Sequence, residues 1–142
     1  MRRTATAVRE ACNSEGLNVP KIIAVTVLTS SDGNALSETG IETPVEDQVV
    51  RLARLAHDSG LDGVVASANE AAAIRAAVAD PDFLIVTPGI RPMDATNDDQ
   101  KRVMTFGRAI AAGSDFAVIG RPITQAADMR AAVAAIVAEA GN

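Results

Sequence analysis

Four short apolar runs punctuate the chain: Ile22 to Leu28 (IIAVTVL), Gly63 to Ser67 (GVVAS), Phe83 to Thr87 (FLIVT) and Phe116 to Ile119 (FAVI). They are rich in β-branched residues and do not alternate with polar positions, as expected of parallel strands buried on both faces. Between and after them, amphipathic patterns predict helices over Val45 to Asp58, Asn69 to Val78, Asp98 to Ala112 and Thr124 to Ala140. Residues 1–20 predict one more helix, closed by the turn Leu17-Asn18-Val19-Pro20, with no strand run ahead of it. Ser59-Gly60, Gly113 and Gly141 are helix stops. Asn69 and Thr105 are N-cap candidates, the latter starting a second segment after a break near Phe106-Gly107.

This repeat of element type predicts an α/β fold: a parallel sheet with right-handed βα crossovers. Four units are half of an eight-stranded barrel, and residues 1–142 are expected to form one such domain. A free half leaves its first and last strands with unpaired backbone edges, which invites association. A series that opens on a helix reads as cut from something longer.

Composition narrows the function. The chain has 142 residues, enough for one real core, and is 48% hydrophobic. It has three Phe, no Tyr and no Trp, which disfavours base- or sugar-stacking platforms. A net charge of −5 also argues against a nucleic-acid partner, so any anionic ligand must be held by local positive groups. The single cysteine, Cys12, precludes an internal disulfide or a cysteine metal site and reads as an ordinary helix residue. No metal site is expected. No apolar run reaches the ~18 residues that a membrane span needs, and no signal-peptide pattern precedes the first helix. A cytoplasmic location is the expectation.

Parallel α/β folds bind ligands in the loops after the strands' C-terminal ends. That rule selects Thr29 to Asn34, Ser67 to Asn69, the stretch TPGIRPMDATNDDQKR (87–102) and Gly120-Arg121-Pro122. In barrels the last two such loops commonly make a phosphate site. Gly120 lets the backbone approach an anion, and Arg121 offers a bidentate fork. Arg91 and Gln100 can close over the same anion, or be respectively a surface turn arginine and a first-turn helix residue. Asp94, Asp98 and Asp99 read as helix-capping groups, because carboxylates beside a phosphate would repel it. His57, late in a helix, reads as structural.

The stretches AVTVLTS (24–30), GLDGVVAS (60–67), IVTPGIRP (85–92), NDDQKRVMT (97–105) and AIAAGSDFAVIGRPI (109–123) resemble, in order and spacing, the C-terminal half of bacterial orotidine 5′-phosphate decarboxylases. One departure is Phe106-Gly107, where that family usually has proline after Met-Thr. The resemblance implies half of a (β/α)8 barrel and a lyase that converts orotidine 5′-monophosphate (OMP) to UMP and CO2 without a cofactor. It implies that Thr29 meets the pyrimidine edge and that Pro88 packs near the base. Arg91 matches a ligand-binding position, and Gln100, Gly120 and Arg121 fall on the phosphate, with residues 92–100 forming a closing loop. The family's catalytic array, a lysine and an Asp-x-Lys-x-x-Asp motif, belongs to the other half of the barrel. This chain has two lysines, Lys21 opening a strand and Lys101, where Asp99-Gln100-Lys101 begins like the motif but Met104 replaces its last aspartate. The resemblance therefore implies a nucleotide grip with no catalytic residues, little or no turnover, and either a homo-oligomer or a missing N-terminal half. The alternatives are a non-catalytic nucleotide-binding half-barrel that self-associates, and another phosphate-sugar lyase such as a keto-gulonate phosphate decarboxylase. Thr29 and TPGIRP favour the pyrimidine nucleotide.

Overall fold

The computed structural model describes residues 1–91 and 104–139. Strands β1 (Ile23–Val25), β2 (Gly63–Val65), β3 (Leu84–Pro88) and β4 (Phe116–Val118) form one sheet in the order β1-β2-β3-β4, every pair parallel. Sequential order with right-handed crossovers puts the helices on one side of the sheet, the arrangement of a barrel wall. Burial agrees. Val64, Ile85 and Thr87 point into the helical side and are fully buried. Their sheet neighbours Val25, Phe116 and Val118 point the other way and are exposed.

The helices are α1 (Arg2–Ser14), α2 (Gly33–Ser37), α3 (Val45–Asp58), α4 (Ala71–Ala77), α5 (Phe106–Ala111), α6 (Arg121–Thr124) and α7 (Met129–Glu139). The main core joins Val49, Ala53 and Ala56 of α3 to Val64, Ile74, Phe83 and Ile85. A smaller cluster of Ala68, Ile90 and Ala109 lies under the later loops.

Several expected boundaries move, each for a local reason. Asn69 is not an N-cap: the Ser67 hydroxyl accepts from the Asn69 N–H (3.3 Å), starting a 3-10 turn over Ala68–Glu70 before α4. Thr105 does occupy the N-cap position of α5, without a side-chain cap bond. The expected break near Phe106-Gly107 falls earlier, because Met104 pairs with Ile90 in a parallel bridge and α5 runs through both residues. The helix expected from Thr124 is split: residues 121–124 make their own turn, and the Asp128 carboxylate caps the start of α7 at the Arg130 and Ala131 N–H groups. The start of the helix expected from Asp98, and the stop at Gly141, lie outside the described residues.

Sequence repetition goes beyond element type. β1 and β3 grow from PKIIAVT (20–26) and PDFLIVT (81–87), and β2 and β4 from GLDGVV (60–65) and GSDFAV (113–118). Gly60 (φ 76) and Gly113 (φ 104) end α3 and α5 in the left-handed region, where glycine carries no Cβ penalty. Two residues on, an aspartate hooks the preceding strand. Asp62 donates its N–H to the Ile22 carbonyl (2.7 Å) and accepts from the Ile22 N–H through Oδ2 (2.8 Å). Asp115 does the same with Ile85, at 2.9 and 2.6 Å. Each aspartate is then gripped by an arginine, Asp62 by Arg9 of α1 (3.1 Å) and Asp115 by Arg75 of α4.

Candidate functional site

Because all four strands are parallel, their following loops share one rim, and the aspartate hooks lie at the opposite one. After β1, the chain leaves the ladder through Val27, Leu28 and a buried Thr29, then turns at Asp32, whose Oδ1 caps α2 at the Ala35 N–H (3.1 Å). After β2, Ser67 and Glu70 are both buried. The carboxylate of Glu70 was not singled out in the sequence; its signal was its place directly after a strand-terminal serine, in S-A-N-E.

After β3 the half-buried Pro88 ends the strand, Gly89 turns the chain, and Ile90 bridges to Met104. That bridge fixes Arg91, whose N–H donates to the Met104 carbonyl at 3.1 Å. The Arg91 side chain is only 9% exposed, and among the described residues its guanidinium donates to the Ile90 carbonyl at 3.5 Å. A buried guanidinium with so long a bond favours a further acceptor. After β4, the exposed Gly120 precedes α6, and Arg121 and Pro122 occupy its first turn half-buried. A Cβ added at Gly120 would meet nothing within 4 Å, so the backbone there is open to approach. β3 and β4 are hydrogen-bonded neighbours, so the TPGIR and GRP segments stand side by side.

Of the sequence-expected residues, the structure thus places Thr29, Pro88, Arg91, Gly120 and Arg121 at one rim. Gln100 lies outside the described residues, as do Asp94, Asp98, Asp99 and Lys101. Lys21 stands at the far rim, ahead of β1, with its ammonium 3.5 Å from Asp62. His57 is structural: its Nε2 is 3.2 Å from Asp80 and its ring lies edge-on to Phe83 with centroids 5.5 Å apart. Among the described residues, no group of three or more His, Cys, Asp or Glu side chains could hold a metal ion. None of their helices is long and apolar enough to cross a membrane.

Comparison with known proteins fits this geometry. The family described as Orotidine 5'-phosphate decarboxylase / HUMPS family matches residues 2–136. An orotidine 5'-phosphate decarboxylase of Trichlorobacter lovleyi is 55% identical over 139 residues, covering 98% of this chain and 56% of the relative. The crystal structure of orotidine 5'-phosphate decarboxylase from Lactobacillus acidophilus superposes with a TM-score of 0.70 at 42% identity, covering 89% of this chain and 52% of that one. An uncharacterized conserved protein from Geobacillus kaustophilus gives a TM-score of 0.74 at 39% identity, covering 98% and 59% respectively. The chain spans about half the length of the curated relatives it matches. Its four parallel βα units are therefore those of a TIM-type barrel, and the chain belongs to the orotidine 5'-phosphate decarboxylase / HUMPS family.

Proposed function

We propose that residues 1–142 act as one unit, the last four βα units of an orotidine 5′-phosphate decarboxylase, and grip the nucleotide of OMP or UMP. The observation that supports this reading is the pairing of β3 with β4 in a family member, because the loops that follow these neighbouring strands carry Arg91 and Gly120-Arg121. Gly120 admits a phosphate oxygen close to the backbone, and the Arg121 fork offers two parallel N–H donors to it. Gln100 closes on the same phosphate, Pro88 lies against the base, and Thr29 offers a hydroxyl to the pyrimidine edge.

Decarboxylation breaks the C6–carboxylate bond of OMP, releases CO2 and leaves an electron pair on C6 that takes a proton to give UMP. Catalysis has to stabilise that carbanion more than the bound substrate, and requires a nearby proton donor. Lys21, a cation that could serve, stands at the rim remote from Arg121. On this reading the chain binds the nucleotide with little or no turnover, in the cytoplasm and with no cofactor.

Calorimetric titration with UMP tests the grip. Saturable binding is expected, weakened about 10- to 100-fold by Arg121→Ala, the loss of one charge-assisted bidentate contact of about 1.5–3 kcal/mol. Absence of binding at millimolar UMP would sink the proposal. An OMP absorbance assay tests turnover: decarboxylation by the 142-residue chain at the rate of a full-length relative would show that the chain carries its own catalytic groups. Apolar residues exposed on the sheet, Val25, Phe116 and Val118, favour one further reading, a non-catalytic nucleotide-binding module that self-associates.

A further inference from the structure

We propose that Glu70 is a positioning residue: its buried carboxylate holds the Arg91 guanidinium from behind and aims the remaining N–H groups at the bound nucleotide. The role rests on the nucleotide reading given above, and adds to it a residue from a third loop, the one after β2.

Among the described residues, Glu70 and Arg91 are the two charged side chains that are buried, at 5% and 9% exposure. Their charges are opposite, and they follow neighbouring strands, Glu70 on the turn after β2 and Arg91 on the loop after β3. A buried charge is costly unless an opposite charge and hydrogen bonds compensate it. The two chains stay together beyond the ladder. The Ala66 N–H still donates to the Val86 carbonyl at 3.1 Å. Ala68, two residues before Glu70, and Ile90, directly before Arg91, then share one buried apolar cluster. The backbone fixes both starting points: the Glu70 N–H donates to the Ser67 carbonyl (3.1 Å), and the Arg91 N–H to the Met104 carbonyl (3.1 Å).

Two other uses of Glu70 fit the geometry less well. It occupies the N-cap position of α4 but makes no side-chain cap bond, so the helix does not employ its carboxylate. At 5% exposure it offers a ligand almost no surface, and a carboxylate facing a phosphate would repel it. Behind an arginine the same charge is useful. A guanidinium carries five N–H donors in a rigid fork, so a carboxylate that takes two of them fixes its plane and leaves the others for a ligand. An arginine held in advance also loses less side-chain freedom on binding.

Four proteins test the pair: wild type, Glu70→Gln, Arg91→Met and the double variant. Removing one partner of a buried pair strands the other charge, whereas removing both does not. Each single variant should melt below wild type, and the double variant should lose less than the two single losses added together. A single variant that fails to fold beside a double variant that folds gives the same answer. Losses that add up, or a double variant that also fails to fold, would overturn the pairing. Calorimetric titration with UMP then reads the positioning. Glu70→Gln should weaken binding about tenfold, roughly the worth of one hydrogen bond to a charged group, and should add no further loss to Arg91→Met. Glu70→Asp keeps the buried charge but withdraws it by one methylene, and guards against a glutamine variant that misfolds. It should weaken UMP binding beside Arg91 and leave it unchanged beside Arg91→Met. A Glu70 that serves packing alone would lower the melting temperature equally in both backgrounds and leave UMP affinity untouched, which overturns the role. If wild type ignores UMP, the nucleotide reading fails and takes this role with it. If wild type and the Glu70 variants bind UMP equally well, this inference fails alone.

Discussion

Asp62 shows how much one side chain does at the rim opposite the ligand. Burial pushes its carboxyl up, but the Ile22 N–H, Arg9 and Lys21 together bring it below its ordinary value. A folded-state value below the unfolded one means that the ionised group stabilises the fold above the usual carboxylate range, near pH 4. That contribution fades as pH falls through the lowered value. Asp62→Asn removes the charge while keeping an oxygen for the Ile22 N–H, and should cost about 1 kcal/mol at pH 7, roughly the difference between a charged and a neutral hydrogen bond. Urea unfolding of both proteins at pH 7 and pH 3 checks this. The difference should shrink at the lower pH, where the wild-type carboxyl is also protonated; an unchanged difference would mean that Asp62 acts through packing alone. The same scale separates two glycines that the sequence presents alike. A β-carbon at Gly63 would collide with the Leu84 carbonyl and sit 2.7 Å from its Cβ, whereas one at Gly120 meets nothing within 4 Å. Gly63→Ala should therefore lose about 1–3 kcal/mol by overpacking the β2–β3 junction. Gly120→Ala should melt like wild type yet bind UMP more weakly, which denaturation paired with titration will resolve.

Among the elements, α3 was legible to the residue, Val45–Asp58, because Pro44 and Ser59-Gly60 bracket an uninterrupted amphipathic pattern. The strands were legible in place but not in length. β1 was expected over 22–28 and pairs over Ile23–Val25, since Val27 to Thr29 turn away to build the ligand rim. Hydrophobic runs report what is buried, and Val27 and Thr29 are buried beyond the last residue of the strand. The short α2 was hidden by its polar composition: Asp32-Gly33-Asn34 reads as a loop, although Asp32 caps a helical turn. The candidate site was legible because a topological rule names the loops, while Glu70 was missed because nothing in its own residue type marks it as buried. The largest discrepancy concerns β1 and β4. Their sequences read as buried on both faces, yet Val25 and Phe116 are exposed on one. Periodicity says that a face is built to be covered, without saying that the same chain covers it.

For the whole molecule, the ligand grip and self-association are separable, and melting curves distinguish them. If copies of the chain self-associate, unfolding is coupled to dissociation, and the melting temperature rises with protein concentration. If UMP binds only the folded state, saturation at about 100 times Kd adds about 2.7 kcal/mol, worth several degrees for a chain of this size. With no Tyr or Trp, the chain is followed by circular dichroism rather than intrinsic fluorescence. Arg121→Ala should cut the UMP-induced rise to about half or less at the same UMP concentration and keep any concentration dependence, because α6 begins beyond the ladder residues of β4. Val25→Asp with Val118→Asp should do the reverse: a melting temperature independent of concentration, with the UMP-induced rise retained, because the proposed contacts to the nucleotide lie on loops of a single copy. Loss of both effects in the aspartate variant alone would place part of the nucleotide grip across the contact between copies, making the assembly and not the single chain the binding unit.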